Sequence, residues 1–206
     1  MAERKKCLCI RQYFPKKPKK LCQQFSSLQL KSMHINYEFK ARCPDIEKTE
    51  ALLKEKNPVF IGLDHQTDTY FNVPNGRLKL REGTIENSLI HYERSNAATA
   101  KQSNVTLYQH QPGKNLKEVL TKALGIKIIV DKERKIYFID NVKFHFDKVK
   151  GLGSFVEVEA IDKDGTIGIE KLKQQCETYI HFFHIAPDQF IAESYSDLLA
   201  KNSSTS

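Results

Sequence analysis

The sequence has no tryptophan, and no apolar run in it approaches the ~20 residues that a helical membrane span requires. No membrane association is therefore expected. Cysteine is sparse and unpatterned. Cys7, Cys9, Cys22, Cys43 and Cys176 are odd in number, and Cys7-Leu8-Cys9 is not the Cys-x-x-Cys of a zinc ligand pair. This disfavours both a disulfide framework and a zinc ribbon, and leaves reduced thiols in an intracellular chain as the simpler reading. The apolar segment of a secretory signal is missing too. Acids are nearly absent from the first 33 positions, which carry nine Lys or Arg against Glu3 alone. The other 24 bases meet 24 acids, so the formal charge of +8 belongs to a tail and not to a basic domain. That argues against a nucleic-acid-binding fold, and no nucleic-acid partner is expected.

What is present is a chain of 206 residues, 40% of them hydrophobic, enough for one substantial core. Four segments alternate charge with apolar character: Asn36 to Arg42, Arg77 to Glu82, Val142 to Asp147, and Phe155 to Ala160. Side chains two apart on a strand share a face. Glu38, Lys40 and Arg42 therefore align, as do Arg77, Lys79 and Arg81, and as do Glu157 and Glu159. Lys143 and His145 share a face with Asp147. Carboxylates bind divalent metal and bases bind phosphate, so strands carrying both suit a polyanion held with its counter-cation.

The chain divides into a basic extension over 1–33, expected to be disordered, a regular region over 34–200, and a short disordered tail over 201–206. The Pro15 to Lys20 run is acid-poor, so a nuclear or mitochondrial address stays open beside a cytoplasmic location. From His34 the pattern predicts a strand, then a helix capped by Asp45 and running to about Lys56. An extended segment over Val59 to Val73 leads through the Pro74-Asn75-Gly76 turn to a strand ending at Glu82. Ser88 to Ser95 and Asn104 to His110 read as strands, with Asn96 to Ser103 a polar link. Asn115 to Leu124 reads as a helix ending at Gly125. Ile126 to Lys132 and Lys135 to Ile139 read as a hairpin, followed by two more strands and helices over Ile169 to Phe182 and Gln189 to Leu199. Short turns between about eight strands imply an antiparallel α+β fold. A charged strand face normally meets water. Here both signs recur on it, acids on the first and last strands and bases between. Closing the sheet would gather these faces around one cavity and leave the apolar outside for the helices.

The segments resemble the CYTH domain, the triphosphate tunnel superfamily that includes class IV adenylyl cyclases and thiamine triphosphatases. The resemblance rests on Asn36-x-Glu38-x-Lys40, Glu38 to Arg42, Gln66 to Glu82, Tyr92-Glu-Arg94, Lys132-x-Arg134, Gly151-Leu-Gly-x-Phe-x-Glu-x-Glu159 and Ser194 to Leu199, in the family's order. It implies a closed eight-stranded antiparallel β-barrel with a charged lumen and helices packed outside. It further implies Mg²⁺ or Mn²⁺ on Glu38, Glu157 and Glu159, with Asp147 as a further ligand. Lys40, Arg42, Arg77, Lys79, Arg81, Arg94, Lys132 and Arg134 would hold phosphates. Glu38, Lys40, Arg81 and Glu159 would carry catalysis. The plain alternatives are a solvated edge for Glu157 and Glu159, a turn residue at Asp147, a packed His145, and surface ion pairs for the bases, each contributing ~0–1 kcal/mol. The sequence departs from the hallmark at Asn36, where the family has a first Glu. An amide carbonyl is an uncharged and weaker ligand.

The resemblance implies metal-dependent hydrolysis of a small triphosphate: inorganic triphosphate, thiamine triphosphate or a nucleoside triphosphate. One alternative is an adenylyl cyclase making cyclic AMP and pyrophosphate from ATP. Another is a module that binds polyphosphate or nucleotide without turnover. A monomer or homodimer with a small-molecule substrate is expected.

Overall fold

A computed structural model describes residues 34–94, 101–111 and 113–203. The basic extension, residues 95–100 of the polar link, and residues 204–206 lie outside the described residues. So do the side chains of Arg94 and of residues 101–104. The element order is β1 (His34–Arg42), α1 (Ile46–Lys54), β2 (Val59–Phe71), β3 (Arg77–Glu82), β4 (Ser88–Arg94), β5 (Lys101–Gln109), α2 (Lys114–Leu124), β6 (Ile126–Ile139), β7 (Val142–Val149), β8 (Gly153–Asp162) and α3 (Ile169–Phe182). A short 3₁₀ turn at Pro187–Gln189 precedes α4 (Tyr195–Ser203). No helix among the described residues is long and apolar enough to cross a membrane.

All strand pairs are antiparallel, in the order β1-β5-β4-β3-β2-β6-β7-β8, with β8 returning to β1. The ladders are uneven. β2 and β6 share 12 register pairs and β1 and β8 share eight, but β1 and β5 share five. The long ladders from β2 through β6, β7 and β8 to β1 form a curled half-cylinder. The shorter ones through β5, β4 and β3 carry it round. The result is an α+β fold of eight antiparallel strands curled into a tunnel-like enclosure, as the α+β expectation required.

Alternation decides what faces where. Phe39 and Ala41 of β1, Phe144 and Phe146 of β7, and Val156, Val158 and Ala160 of β8 point outward into one core with α1 and α3. Ile46 and Leu53 of α1 and Leu172, Cys176 and Phe183 from α3 and its end cover them, and Tyr179 meets Phe144 edge-on at 4.6 Å. Each large apolar side chain buried this way contributes roughly 1.5–3 kcal/mol. Cys43 and Cys176 are buried and unpaired, in keeping with reduced thiols. Asp45 caps α1 by accepting from the Lys48 amide at 3.1 Å. In the hairpin turn Gly76 has φ +64°, and a Cβ there would sit 2.9 Å from the Tyr92 carbonyl oxygen.

Ile126 to Ile139 is one continuous strand, with the turn at Asp140, not a hairpin broken at Glu133-Arg134. The polar run looks like a turn, but Lys132 and Arg134 point inward to buried acids while Asp131 and Glu133 face solvent. The last helix begins at Tyr195, not Gln189. Phe190 bridges to Ala41 and the Ile191 amide donates to the Lys40 carbonyl at 2.9 Å, which holds that stretch extended. It also runs to Ser203, past the expected domain end at 200. Nor does α4 pack outside with α1 and α3. Tyr195, Leu198 and Leu199 belong to a second apolar cluster with the inward residues Tyr70, Ile90, Tyr92, Val105 and Leu107.

Glu50 ties α1 to the sheet, accepting from Lys135 Nζ at 2.6 Å and the Tyr137 hydroxyl at 2.5 Å, with Lys54 at 2.9 Å. Burial works to raise its pKa, but these bonds outweigh it and hold the carboxyl at about 2. A depressed folded-state pKa gives stability above the unfolded value, near 4.3, that is lost as pH falls towards 2. Glu50→Gln is therefore expected to lose on the order of 2–3 kcal/mol at pH 7 and to flatten the acid limb between pH 4.5 and 2. Urea unfolding at a series of pH values checks this; an unchanged acid limb would contradict it.

Candidate active site

The inward strand faces enclose a cavity of about 600 Å³. Among the described residues, six bases line it (Lys40, Lys79, Arg81, Lys132, Arg134 and Lys143) against five acids, Glu38, Asp68, Glu86, Glu157 and Glu159. The near balance matters, because bases crowded together in a closed space repel unless acids separate them.

Asp68 on β2 is the hub of one side. Arg81 Nε donates to its Oδ1 at 2.8 Å, Arg81 Nη2 to Oδ2 at 3.0 Å, Lys79 Nζ to Oδ2 at 3.1 Å and Lys132 Nζ to Oδ2 at 2.7 Å. Burial alone would raise the Asp68 pKa, but the charges of Arg81, Lys132 and Lys79 hold it well below the usual carboxylate range. Burial and the neighbouring Arg81, Arg134 and Lys79 charges lower Lys132 to about 7 against the pull of Asp68. Glu86 reaches in from the β3–β4 loop to Arg81 Nη1 at 2.9 Å and to Lys143 Nζ. Asp64 sets that loop by accepting from the Ile85 and Glu86 amides, both at 2.9 Å, and from the Thr84 hydroxyl at 3.0 Å. Gly83 is needed beside it, since a Cβ there would lie 2.6 Å from Asp64 Oδ1.

The other acids lie on β8 and β1, four and three ladders from β3 in the strand order. Glu38 is opposite Glu159, and Lys40 is opposite Glu157. Lys40 Nζ lies 3.3 Å from Glu157 Oε1 and 4.1 Å above the Tyr195 ring. Arg134 forks onto Asp147, Nε to Oδ1 at 2.7 Å and Nη2 to Oδ2 at 2.5 Å, and also donates from Nη2 to Glu157 Oε2 at 2.8 Å. The Tyr195 hydroxyl donates to Asp147 Oδ2 at 2.8 Å.

The strands thus gather Glu38, Lys40, Lys79, Arg81, Lys132, Arg134, Glu157 and Glu159 of the expected site around one space. Asp147 is buried behind Arg134 and Tyr195. Arg77 pairs with Asp197 of α4 at 2.8 Å, and Arg42 is exposed, its guanidinium 5.4 Å from the Phe155 ring. The side chain of Arg94 lies outside the described residues. Asp68, Glu86 and Tyr195 were not singled out from the sequence. Asp68 sits between two threonines in a segment read only as extended, though Gln66, Asp68 and Tyr70 share one face. Glu86 and Tyr195 lie at loop and helix ends, where no period marks them.

The residues fit a divalent cation at the β8–β1 side. Among the described residues, His145, Glu157 and Glu159 offer ligand atoms all within 4.8 Å of one another. Asn36 Oδ1 and both ring nitrogens of His145 are buried without a hydrogen-bond partner. Burial and the Arg134 and Lys143 charges push the imidazole down to about 3, so it is neutral near pH 7. Burial and the nearby Glu157 and Glu38 charges, partly offset by Lys143 and Arg134, raise Glu159 to about 7. This corner therefore carries more acid than its bases neutralise. Cation binding there needs Glu159 ionised. Binding is expected to release up to one proton between about pH 6 and 7, and Glu159→Gln should abolish the release. Calorimetric titration of MnCl₂ in buffers of different ionisation enthalpy measures it; no buffer dependence would contradict the assignment.

A family model for the CYTH domain matches residues 34–183. None of the curated protein sequences compared matches the chain. Among solved structures, the PH1012 protein of Pyrococcus horikoshii OT3 is similar with a TM-score of 0.69 at 20% identity, over 79% of this chain and 98% of that one. A putative adenylate cyclase from Vibrio parahaemolyticus is similar with a TM-score of 0.67 at 16% identity, covering 81% and 98%. A putative adenylyl cyclase from Hippeastrum, described as having a dominant triphosphatase activity, has a TM-score of 0.53 at 12% identity, covering 84% and 96%. At such identities these likenesses speak for the fold alone. The family match spans most of the region whose strands build the cavity, and on that ground the chain belongs to the CYTH domain family.

Proposed function

We propose that the chain hydrolyses a small triphosphate (inorganic triphosphate, thiamine triphosphate or a nucleoside triphosphate) with Mg²⁺ or Mn²⁺ as cofactor. The observation that carries this reading is the convergence of six bases from β1, β3, β6 and β7 on one enclosed cavity that also holds an under-neutralised acidic corner. A row of fixed cations suits a chain of phosphates, and such a transfer is catalysed mainly by positioning and charge stabilisation.

In this reading Lys79, Arg81 and Lys132 grip phosphate oxygens, sharing protons now given to Asp68. Arg81 is oriented from both sides by Asp68 and Glu86, so its fork needs little reorganisation. Lys40 and Arg134 hold the phosphate nearest the acidic corner. Asp147 and Tyr195 fix the Arg134 plane and are positioning groups. Glu38, Glu159 and Asn36 Oδ1, with Glu157 beside them, would hold the cation, which supplies charge neutralisation and an acidified water. The narrow, lined space limits access of bulk water to the remaining phosphates. The Hippeastrum protein is described as a putative cyclase with dominant triphosphatase activity, so the fold is compatible with hydrolysis.

The test is a product assay with inorganic triphosphate, thiamine triphosphate and ATP, each with Mg²⁺ or Mn²⁺, quantifying phosphate, pyrophosphate and cyclic AMP. Phosphate without cyclic AMP is expected. Cyclic AMP matched by pyrophosphate would replace hydrolysis with cyclisation, and binding without product would leave a sensor. Lys79→Ala removes one charge-assisted contact worth ~1.5–3 kcal/mol and should weaken triphosphate binding ~10–100-fold. Monophosphate binding should change less, and equal losses for both would argue against an extended grip.

A further inference from the structure

His145 has no part in the phosphate grip, yet it is the most awkwardly placed polar side chain in the cavity. It projects from β7 into the lumen, is 1% exposed, and neither ring nitrogen has a well-directed hydrogen bond; the nearest acceptor to Nδ1, Glu157 Oε2, stands off at 3.4 Å. Buried polar groups are almost always paired, so one left open in a native interior points to a missing partner. Nδ1 lies 3.4 Å from Glu157 Oε2 and 3.7 Å from Glu159 Oε1. Ligand atoms around one ion at bonds of ~2.1–2.2 Å are roughly 3.0–4.4 Å apart, and both separations fall in that range.

The surrounding charges do not already satisfy the imidazole. Arg134 is committed to Asp147 and Glu157, and Lys143 to Glu86. On the β1 side the hallmark acid is replaced by Asn36, whose buried Oδ1 also lacks a partner. The corner therefore has one fewer anionic oxygen and one more nitrogen than an all-carboxylate site.

We propose that His145 is a cation ligand through Nδ1, together with Glu157 and Glu159, and that it makes this a mixed nitrogen–oxygen site selecting Mn²⁺ over Mg²⁺. Mg²⁺ keeps hard oxygen ligands in strict octahedral array, while imidazole suits the first-row transition metals. The inference rests on the cation site of the proposed function, but it concerns which ion is held and by which atom.

The experiment uses the full chain without triphosphate, so it is independent of turnover. Mn²⁺ bound to the wild-type protein is examined by electron spin echo envelope modulation for coupling to a directly ligated ¹⁴N. Mn²⁺ and Mg²⁺ affinities are then measured by calorimetry for wild type and His145→Gln. The expected result is ¹⁴N modulation in the wild type, lost in the variant, with Mn²⁺ affinity about tenfold weaker and Mg²⁺ affinity changed less than about twofold. Bound Mn²⁺ without ¹⁴N modulation would overturn the proposal, as would equal weakening of both ions. If His145→Gln does not fold, the wild-type spectrum decides alone. Hydrolysis with a nitrogen-free spectrum would sink the ligand and spare the function; a nitrogen-bound ion without hydrolysis would do the reverse.

Discussion

One buried carboxylate, Asp68, holds together the side of the cavity on which the rest depends. It takes hydrogen bonds from Lys79, Arg81 and Lys132, which come from β3 and β6, the two strands that flank β2. Removing a partner from such a buried group typically costs about 3–5 kcal/mol, because the charges left behind cannot reach water. Yet replacing a buried ion cluster wholesale by apolar side chains is often neutral or stabilising. The cluster is thus poorly explained by stability. It is better explained as a set of cations kept in a closed space at fixed positions, with Asp68 and Glu86 holding them until an anion arrives.

Much of this was legible in the sequence because the alternation is strict where one face is charged and the other packs on helices. Tyr37, Phe39 and Ala41 against Glu38 and Lys40 gave the inward and outward faces of β1, and Phe144 and Phe146 against Lys143 and His145 gave those of β7. Asp45 marked the start of α1 by a local capping rule. Local rules failed where a long-range partner overrode them. Lys132, Glu133 and Arg134 carry turn-like polarity, but acids on β2 and β7 make a strand out of them. Gln189 to Glu193 has helical composition, but pairing of Phe190 and Ile191 with β1 stops a helix from starting there. Asp68 escaped notice because its importance lies in three bases that are 11 to 64 residues away along the chain.

The cavity wall is chemically uneven. Tyr70 of β2, Ile90 and Tyr92 of β4, and Val105 and Leu107 of β5 form an apolar stretch of it, in one cluster with Tyr195, Leu198 and Leu199 of α4. Tyr195 is apolar at its ring, beside Phe155 at 4.9 Å, and polar at its hydroxyl, which reaches Asp147. Through Asp147 it fixes Arg134, and its ring lies under Lys40. One residue at the start of the last helix therefore couples the packing of α4 on that apolar cluster to the orientation of two lumen bases. This is why α4 belongs with the site and not with the outer helices α1 and α3.

The charge balance of the lumen also bears on why anion and cation should enter together. Among the described residues, six bases face five acids in the lumen, so fixed charges of both signs already compensate one another there. A triphosphate carries several negative charges, far more than the single excess base offsets. Placed alone in a space of about 600 Å³, it would face Glu38, Glu157 and Glu159 across a low-dielectric gap. Under the proposed function, a divalent cation at the acidic corner would remove that repulsion, and the polyanion would in turn offset the repulsion between the cation and Lys40, Arg134 and Lys143. Each ligand would then lower the cost of the other, and their binding would be reciprocal by linkage. The Glu159 pKa, raised to about 7 by burial and the Glu157 and Glu38 charges, reflects the same crowding of acids, and a cation bound there would favour its ionised form.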